Sequence, residues 1–140
     1  MSYKIISKFI KDISFEIPSA QAFIMIEKDI SKYSLNFDIK SKKFKENIIE
    51  VNTVLRLVPS PELKTKILAE INLASLVSIE KNLEDKEELE KIVLVDVPRE
   101  VYPTLYDIFI YLFTKAGVKN ISIAKEVDFL EMYQNKKKPI

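Results

Sequence analysis

The first half of the chain consists of runs in which apolar and polar residues alternate, and this alternation constrains the fold more than any other feature. Successive side chains of a β-strand point to opposite faces, so a period of two is typical of a strand with one buried and one exposed face. The run from Ser31 to Ser41 alternates most clearly. With three further runs it predicts four strands, at about residues 3–16, 31–41, 47–58 and 64–79. Short turns between the last three favour antiparallel pairing.

The connection 17–30, between the first two predicted strands, carries more apolar surface than loops usually do. It includes Phe23, Met25 and Ile26. Two interpretations stay open. The segment packs over the sheet as an extension of the core, or it forms the wall of a groove that binds apolar ligands.

The second half of the chain changes to a helical period, so the sequence predicts an α+β fold in a single domain, 1–140. Helices are predicted at about 84–95, 103–116 and 127–136. Pro98 is expected to end the first of them, because proline lacks the N–H that a helix interior needs. Pro103 suits the first turn of the second helix, and Gly117 suits its C-terminal end.

The helix predicted at 103–116 is apolar around most of its circumference. A helix of this kind cannot leave one face in water, so we expect it to pack on the sheet with one face and on another subunit with the other. The residues expected in this oligomer interface are Ile108, Phe109, Ile110, Leu112 and Phe113.

Composition excludes most catalytic chemistry. The chain has 0 His, 0 Cys and 1 Gly, so it cannot build a catalytic triad, a thiol nucleophile, a His or Cys metal site or a glycine-rich phosphate loop. We therefore expect no cofactor, no metal and no enzyme activity. The alternative is a small enzyme that uses Asp12 and Glu16 as an acid and base pair.

The formal net charge of +1 predicts no global attraction to nucleic acid or to an acidic membrane, so any charge-based function must be local. Residues 1–10 lack the continuous apolar core of a signal peptide, and no run approaches the roughly 20 apolar residues of a membrane span. We expect a cytosolic protein that binds no nucleic acid and does not insert into membranes.

Three segments resemble the SecB-type protein-export chaperones. Lys11-Asp-Ile-Ser-Phe-Glu16 is similar to the opening signature of that family. The segment Leu68–Ile79 resembles its fourth strand, and Tyr102-Pro103 resembles the start of its long amphipathic helix. These matches span most of the chain in the order that the family shows.

The resemblance implies a SecB-like fold and a homotetramer built as a dimer of dimers. It also implies a chaperone that binds unfolded preproteins without ATP and delivers them to the SecA motor. The alternative within the same class is a SecB-like chaperone dedicated to one client, such as the antitoxin of a toxin–antitoxin system.

The resemblance further implies two binding surfaces. One is a groove for unfolded client peptides, for which the candidate residues are Phe23, Met25, Ile26, Leu35, Phe37, Ile39, Tyr102 and Tyr106. Side chains of this kind are also typical of a core, which is the alternative for each of them.

The second implied surface is an acidic strand face that binds SecA. The matching residues are Asp12, Glu16, Leu68 and Glu70. Their spacing puts each pair on one strand face, and the four cluster if the first and fourth strands are neighbours. The alternative is an ordinary solvated face.

Overall fold

The computed structural model describes residues 2–80 and 84–137, except for the side chains of 136 and 137. The strands are β1 (Tyr3–Glu16), β2 (Tyr33–Lys45), β3 (Ile48–Pro59) and β4 (Leu68–Ile79). The helices are α1 (Ala20–Asp29), α2 (Lys86–Lys91), α3 (Val97–Lys115) and α4 (Phe129–Lys137), and a 3-10 turn at Ile30–Lys32 joins α1 to β2.

The four strands form one antiparallel sheet in the order β1-β4-β3-β2. The predicted α+β fold is therefore confirmed. Because β1 and β4 pair directly, the connection through α1, β2 and β3 returns the chain beside its own first strand. Strands β1 and β2 form the two edges of the sheet.

The helices cover one face of the sheet, which we call the inner face, and the other is the outer face. Phe15 of β1 contacts Phe113 of α3 edge to face, with ring centroids 5.1 Å apart. At the opposite end, the Tyr3 hydroxyl donates a hydrogen bond to Glu100 over 3.0 Å. Helix α3 thus runs alongside β1. The core between sheet and helices is built mainly from the fully buried side chains Val51, Leu55, Ile71, Leu73, Val77, Leu105 and Phe109.

Strand β1 contains two irregularities that explain its imperfect alternation. Its pairing with β4 shifts between Ile5 and Ser7 and again between Ile10 and Asp12. At each shift β1 contains one residue more than β4, so the alternation of its side chains between the two faces changes phase there. From Asp12 to Glu16 the pairing is regular.

The fourth strand begins at Leu68 rather than at the predicted residue 64. The preceding segment forms turns, and the backbone N–H of Ile67 donates to the Tyr33 hydroxyl instead of to a neighbouring strand. Leu63 and Ile67 are apolar because they are buried in the core, although neither belongs to a strand.

The apolar connection 17–30, for which the sequence predicts no helix, contains helix α1. The Ser19 hydroxyl accepts a hydrogen bond from the N–H of Ala22 and caps the helix N-terminus. Ala22 and Ile26 are four residues apart, so both point to the core from one side of the helix.

The helices predicted at 84–95 and 103–116 are one continuous helical segment. Residues Ile92–Asp96 form a π-helical turn that joins α2 to α3. The prediction that Pro98 ends a helix is wrong, because it lies in the first turn of α3 directly after this wider turn. Pro103 lies inside α3 rather than at its start.

The last predicted helix, at 127–136, corresponds to α4 with a shift of two residues at its start. Within the part of the chain that the structure describes, no helix is both long enough and apolar enough to cross a membrane.

Candidate functional site

Three aromatic rings from three different elements meet beside β2. Phe37 of β2 lies 5.7 Å from Tyr102 of α3 and 5.0 Å from Phe129 of α4, measured between ring centroids. Tyr102 and Phe129 are 6.0 Å apart, so the three rings form a closed group of edge-to-face contacts. Tyr106 extends the group from α3, 6.4 Å from Tyr102. Three of the predicted groove residues, Phe37, Tyr102 and Tyr106, are thus brought together.

Tyr102 anchors the segment that follows α3. Its hydroxyl donates a hydrogen bond to the backbone carbonyl of Ala124. Burial, together with the nearby Tyr106, raises the pKa of Tyr102 to about 12. The phenol therefore remains a neutral donor at physiological pH and ties residues 121–128 to the long helix.

Cavities follow β2 on both sides of this aromatic group. One of about 330 Å³ is lined by Tyr33 and Leu35 of β2 and by Ile123. Another of about 130 Å³ lies between Phe37, Ile39 and Leu94, and a third of about 310 Å³ between Ile39, Ser41 and Leu89. A larger cavity of about 590 Å³ opens between α3 and the segment from 125 to 129.

We call this chain of cavities the β2 groove. Its β2 wall consists of Leu35, Phe37, Ile39 and Ser41, which are alternate residues on one side of the strand. At about 3.3 Å per residue, the wall from Leu35 to Ser41 is about 20 Å long. An extended peptide of roughly six residues fits that length.

The opposite wall comes from residues that sequence reasoning did not assign to a groove. They are chiefly Leu94 from the π-helical turn and Phe129 and Met132 from α4. Met132 is 42% exposed, although it is part of the wall. Helical spacing puts residues 129 and 133 on one face of α4, but only the tertiary fold shows that this face meets β2.

Helix α1 holds the remaining predicted groove residues. Ile26 is buried in the core, and Met25 is half-buried. Phe23 is partly exposed and lies over Gly117, where its ring is 3.3 Å from the point a Cβ would occupy. The backbone N–H of Asn120 donates to Glu27, so α1 is fastened to the loop that follows α3. These three side chains do not line the cavities of the β2 groove.

The predicted acidic residues lie together at one end of the outer face. In the β1–β4 pairing, Glu16 is opposite Leu68 and Ser14 is opposite Glu70, with Asp12 two residues further along β1. Residues opposite each other in an antiparallel pair point to the same side, so all four predicted residues share this surface. Leu68 is 47% exposed. We call Asp12, Glu16, Leu68 and Glu70 the acidic surface.

Arg56 of β3 modifies this acidic surface, and the sequence reasoning missed its role. It lies opposite Glu70, and its Nε donates to the carboxylate over 2.6 Å while a second guanidinium nitrogen also pairs with it. Two contacts from one guanidinium make a directional pair. Part of the negative charge of the acidic surface is therefore already compensated within the chain.

A second apolar surface lies along the β1 edge and α3. On β1, Ile10 is 49% and Ile13 is 39% exposed, although both lie in inward-facing register. On α3, Tyr111 is exposed, and Ile108 and Leu112 are half-buried. Of the predicted interface residues, Ile108, Ile110 and Leu112 are partly accessible, whereas Phe109 and Phe113 belong to the core of this chain.

Among the described residues, no three or more carboxylates lie in a group that could hold a metal ion.

Comparison with known proteins gives one family over the whole chain. A family model described as preprotein translocase subunit SecB matches residues 1–139. A relative from Pelagibacter ubique, whose name assigns it to SecB, is 46% identical over 135 residues, which are 96% of each protein. The protein-export protein SecB of Rhodospirillum rubrum is 27% identical over 129 residues, covering 92% of this chain and 78% of that relative.

A solved structure has a similar fold. It is a SecB-like chaperone of Mycobacterium tuberculosis in complex with a ChAD peptide from an antitoxin. The TM-score is 0.57 at 13% identity, over 88% of this chain and 91% of that one. At this identity the likeness shows the fold alone.

Proposed function

Since this chain belongs to the SecB family of protein-export chaperones, we propose that it holds unfolded preproteins without ATP and delivers them to the SecA motor in the cytoplasm. Holding requires exposed apolar surface and no reaction chemistry, and a chain without His or Cys loses nothing that this work needs. In this proposal the protein is a binding protein and not an enzyme.

The β2 groove is the observation that carries the proposal. Its aromatic and aliphatic walls suit the one feature that unfolded clients share, which is exposed hydrophobic sequence. Strand β2 is also an edge strand, so the backbone groups on its free edge pair with no other strand of the described residues. Backbone pairing along such an edge recognises an extended chain whatever its sequence.

Met132→Glu tests whether the β2 groove binds clients. A charge at this partly exposed position would have to be desolvated beside an apolar client, so we expect client affinity to fall roughly tenfold or more. The measurement is titration of a reduced, permanently unfolded preprotein. The matched control is Ile24→Glu on the exposed side of α1, where affinity is expected to stay within about twofold. Equal affinity of both variants with the native protein would exclude the groove.

We further propose that the acidic surface receives a basic segment of SecA. Two carboxylates from β1 and one from β4, with the exposed Leu68 opposite Glu16, suit a peptide that is basic and partly apolar. Arg56 would compete with that segment for Glu70, because it already contacts the carboxylate from the neighbouring strand.

Two opposite charge changes test SecA docking. Asp12→Ala combined with Glu70→Ala should abolish measurable affinity for the SecA segment, whereas Arg56→Gln should increase it severalfold because it removes the competing cation. Binding is followed by calorimetry, with Glu62→Ala as an exposed control outside the surface. If both changes leave SecA affinity unaltered, the acidic surface is only a solvated face.

A chaperone dedicated to one client is the second candidate. The fold likeness to a SecB-like chaperone solved with an antitoxin peptide is the observation that favours it. Capture of client proteins from the native cytosol separates the two. Many unrelated preproteins support the general chaperone, and one antitoxin supports the dedicated one.

A further inference from the structure

The outer face of the sheet is divided by charge into two halves. The acidic surface occupies the end near Leu68. At the other end the strand pairing brings lysines from the two edge strands onto the same side: Lys4 lies opposite Ser78, which lies opposite Ile48, which lies opposite Lys45. We call this end the basic surface, and its lysines are Lys4, Lys11, Lys40, Lys42 and Lys45.

The acid inside the basic surface is neutralised within the sheet. The buried carboxylate of Glu50 lies 2.5 Å from Lys11 Nζ and accepts a hydrogen bond from the Asn52 side chain over 2.8 Å. These contacts, with Lys42 nearby, hold the pKa of Glu50 below its ordinary value. Its negative charge is therefore fixed and already balanced by Lys11.

The remaining lysines leave an excess of positive charge. Lys40 lies 3.8 Å from Asp38, whereas Lys4, Lys42 and Lys45 form no ion pair with any residue that the structure describes. The turns at the strand ends contribute two further acids, Glu46 and Glu80. Lys43 lies opposite Ile49 and so points to the inner side of the sheet. This end of the sheet thus stays cationic, although the chain as a whole is close to neutral.

An exposed aromatic ring lies among these lysines. Phe44 falls where the β2–β3 pairing is irregular, between Lys43 and Lys45, and it is 54% exposed. The Lys45 ammonium lies 5.6 Å from the centre of its ring. A cation beside an exposed aromatic is suited to the interface of a lipid bilayer, where the ring enters the headgroup region and the amine meets phosphate.

The breadth of the surface favours a planar partner over a linear one. Lys4 and Lys45 lie on opposite edge strands, so at about 4.8 Å per strand they are separated by roughly 14 Å. A bilayer meets all of these lysines at once, whereas an acidic peptide laid along one strand meets only those of that strand and its neighbour.

We propose that the basic surface binds an anionic phospholipid bilayer, with its lysines against headgroup phosphates and Phe44 in the interfacial region. The inference goes beyond the proposed function and does not depend on client or SecA binding. The acidic surface lies at the far end of the same face and takes no part in this contact. The apolar surface of β1 and α3 remains separate from this contact.

Vesicle sedimentation tests the proposal with the full chain. Vesicles of phosphatidylcholine with phosphatidylglycerol should bind the protein, and vesicles of phosphatidylcholine alone should not. Lys42→Gln with Lys45→Gln should weaken binding roughly thirtyfold, because each lysine near an anionic surface contributes about 1 kcal/mol. The matched control, Lys64→Gln with Lys66→Gln, makes the same charge change in the exposed β3–β4 connection and should bind like the native chain.

Fluorescence gives an independent readout, because the chain has 0 Trp. Phe44→Trp introduces one reporter, whose emission should shift to shorter wavelength on anionic vesicles and be quenched by brominated lipid. The proposal would be overturned if the protein bound neutral vesicles equally well, or if the two double lysine variants lost vesicle affinity to the same extent. It would also be overturned if the tryptophan were quenched only by acrylamide in the aqueous phase. Binding of soluble polyglutamate without binding of vesicles would also overturn it, in favour of an acidic peptide.

Discussion

Gly117 and Tyr102 show how single residues hold the segment that forms one wall of the β2 groove. Gly117 ends the long helix with a φ of 102°, a backbone conformation that side chains with a Cβ disfavour. Tyr102 then fixes the following segment through the Ala124 carbonyl. The chain therefore turns sharply after α3 and returns across the tyrosine.

Gly117→Ala should destabilise the fold. The added Cβ would lie 3.3 Å from the Phe23 ring, and the positive φ would be strained. We expect the free energy of unfolding to fall by about 1–3 kcal/mol, measured by urea denaturation at fixed protein concentration. Lys119→Ala, in the exposed loop nearby, is the control. Adding Phe23→Ala would relieve the contact but not the backbone strain, so a full recovery would contradict the role given to φ.

Stability at high pH should depend on Tyr102 and Tyr3. Burial raises the pKa of both to about 12, against an ordinary value of 10.0. Below about pH 10 both are protonated whether the chain is folded or unfolded. Between pH 10 and 12 only the unfolded chain loses these protons, so stability falls as pH rises.

Denaturation at a series of pH values tests this dependence. Between pH 10 and 12, the free energy of unfolding of Tyr102→Phe should fall by about 1–2 kcal/mol less than that of the native chain. Tyr111→Phe, at an exposed ring, should follow the native curve. Parallel curves for the native chain and Tyr102→Phe would contradict the assignment.

The elements were predicted with unequal success, for physical reasons. Alternation revealed β2 and β3 because each has one wet and one buried side, and the resemblance to SecB drawn from Lys11–Glu16 is confirmed. Helix α1 was missed because its apolar residues exceed the single stripe of an amphipathic helix, leaving Ile24 exposed. The prediction at Pro98 failed because proline disrupts a helix interior, where its missing N–H is needed, but not the first turn, where Pro98 lies.

The surfaces required information that spacing does not contain. The strand patterns put Asp12 and Glu16 on one side of the first strand and Leu68 and Glu70 on one side of the fourth. Only the β1–β4 register shows that the two pairs are neighbours. Arg56 entered only through the β3–β4 register. The β2 groove likewise depends on α4 returning to β2, a contact between distant parts of the chain.

At the scale of the whole molecule, a near-neutral chain carries strongly segregated surfaces. The formal net charge is only +1, yet the strand pairing places an acidic end, a basic end and an apolar edge at different parts of the sheet. We propose that the chain assembles as a homotetramer, a dimer of dimers, through the β1 edges and α3. Exposed isoleucines on an unpaired edge strand favour pairing with a second copy.

Ile13→Lys should weaken that assembly. A lysine at this edge would be desolvated in a subunit contact and is a common device against edge pairing. Static light scattering should give a lower mass for this variant than for the native chain at equal concentration. Ile24→Lys on α1 is the control, and an unchanged mass for Ile13→Lys would place the interface elsewhere.

The central claim is that the assembled chain holds unfolded preproteins without nucleotide. The most direct measurement is the refolding and aggregation of a reduced preprotein, followed by light scattering with purified protein and no ATP. We expect slower refolding and suppressed aggregation at stoichiometric amounts of the protein, with both effects diminished by Met132→Glu and kept by Ile24→Glu. Refolding and aggregation at the same rates with and without the native protein would contradict it.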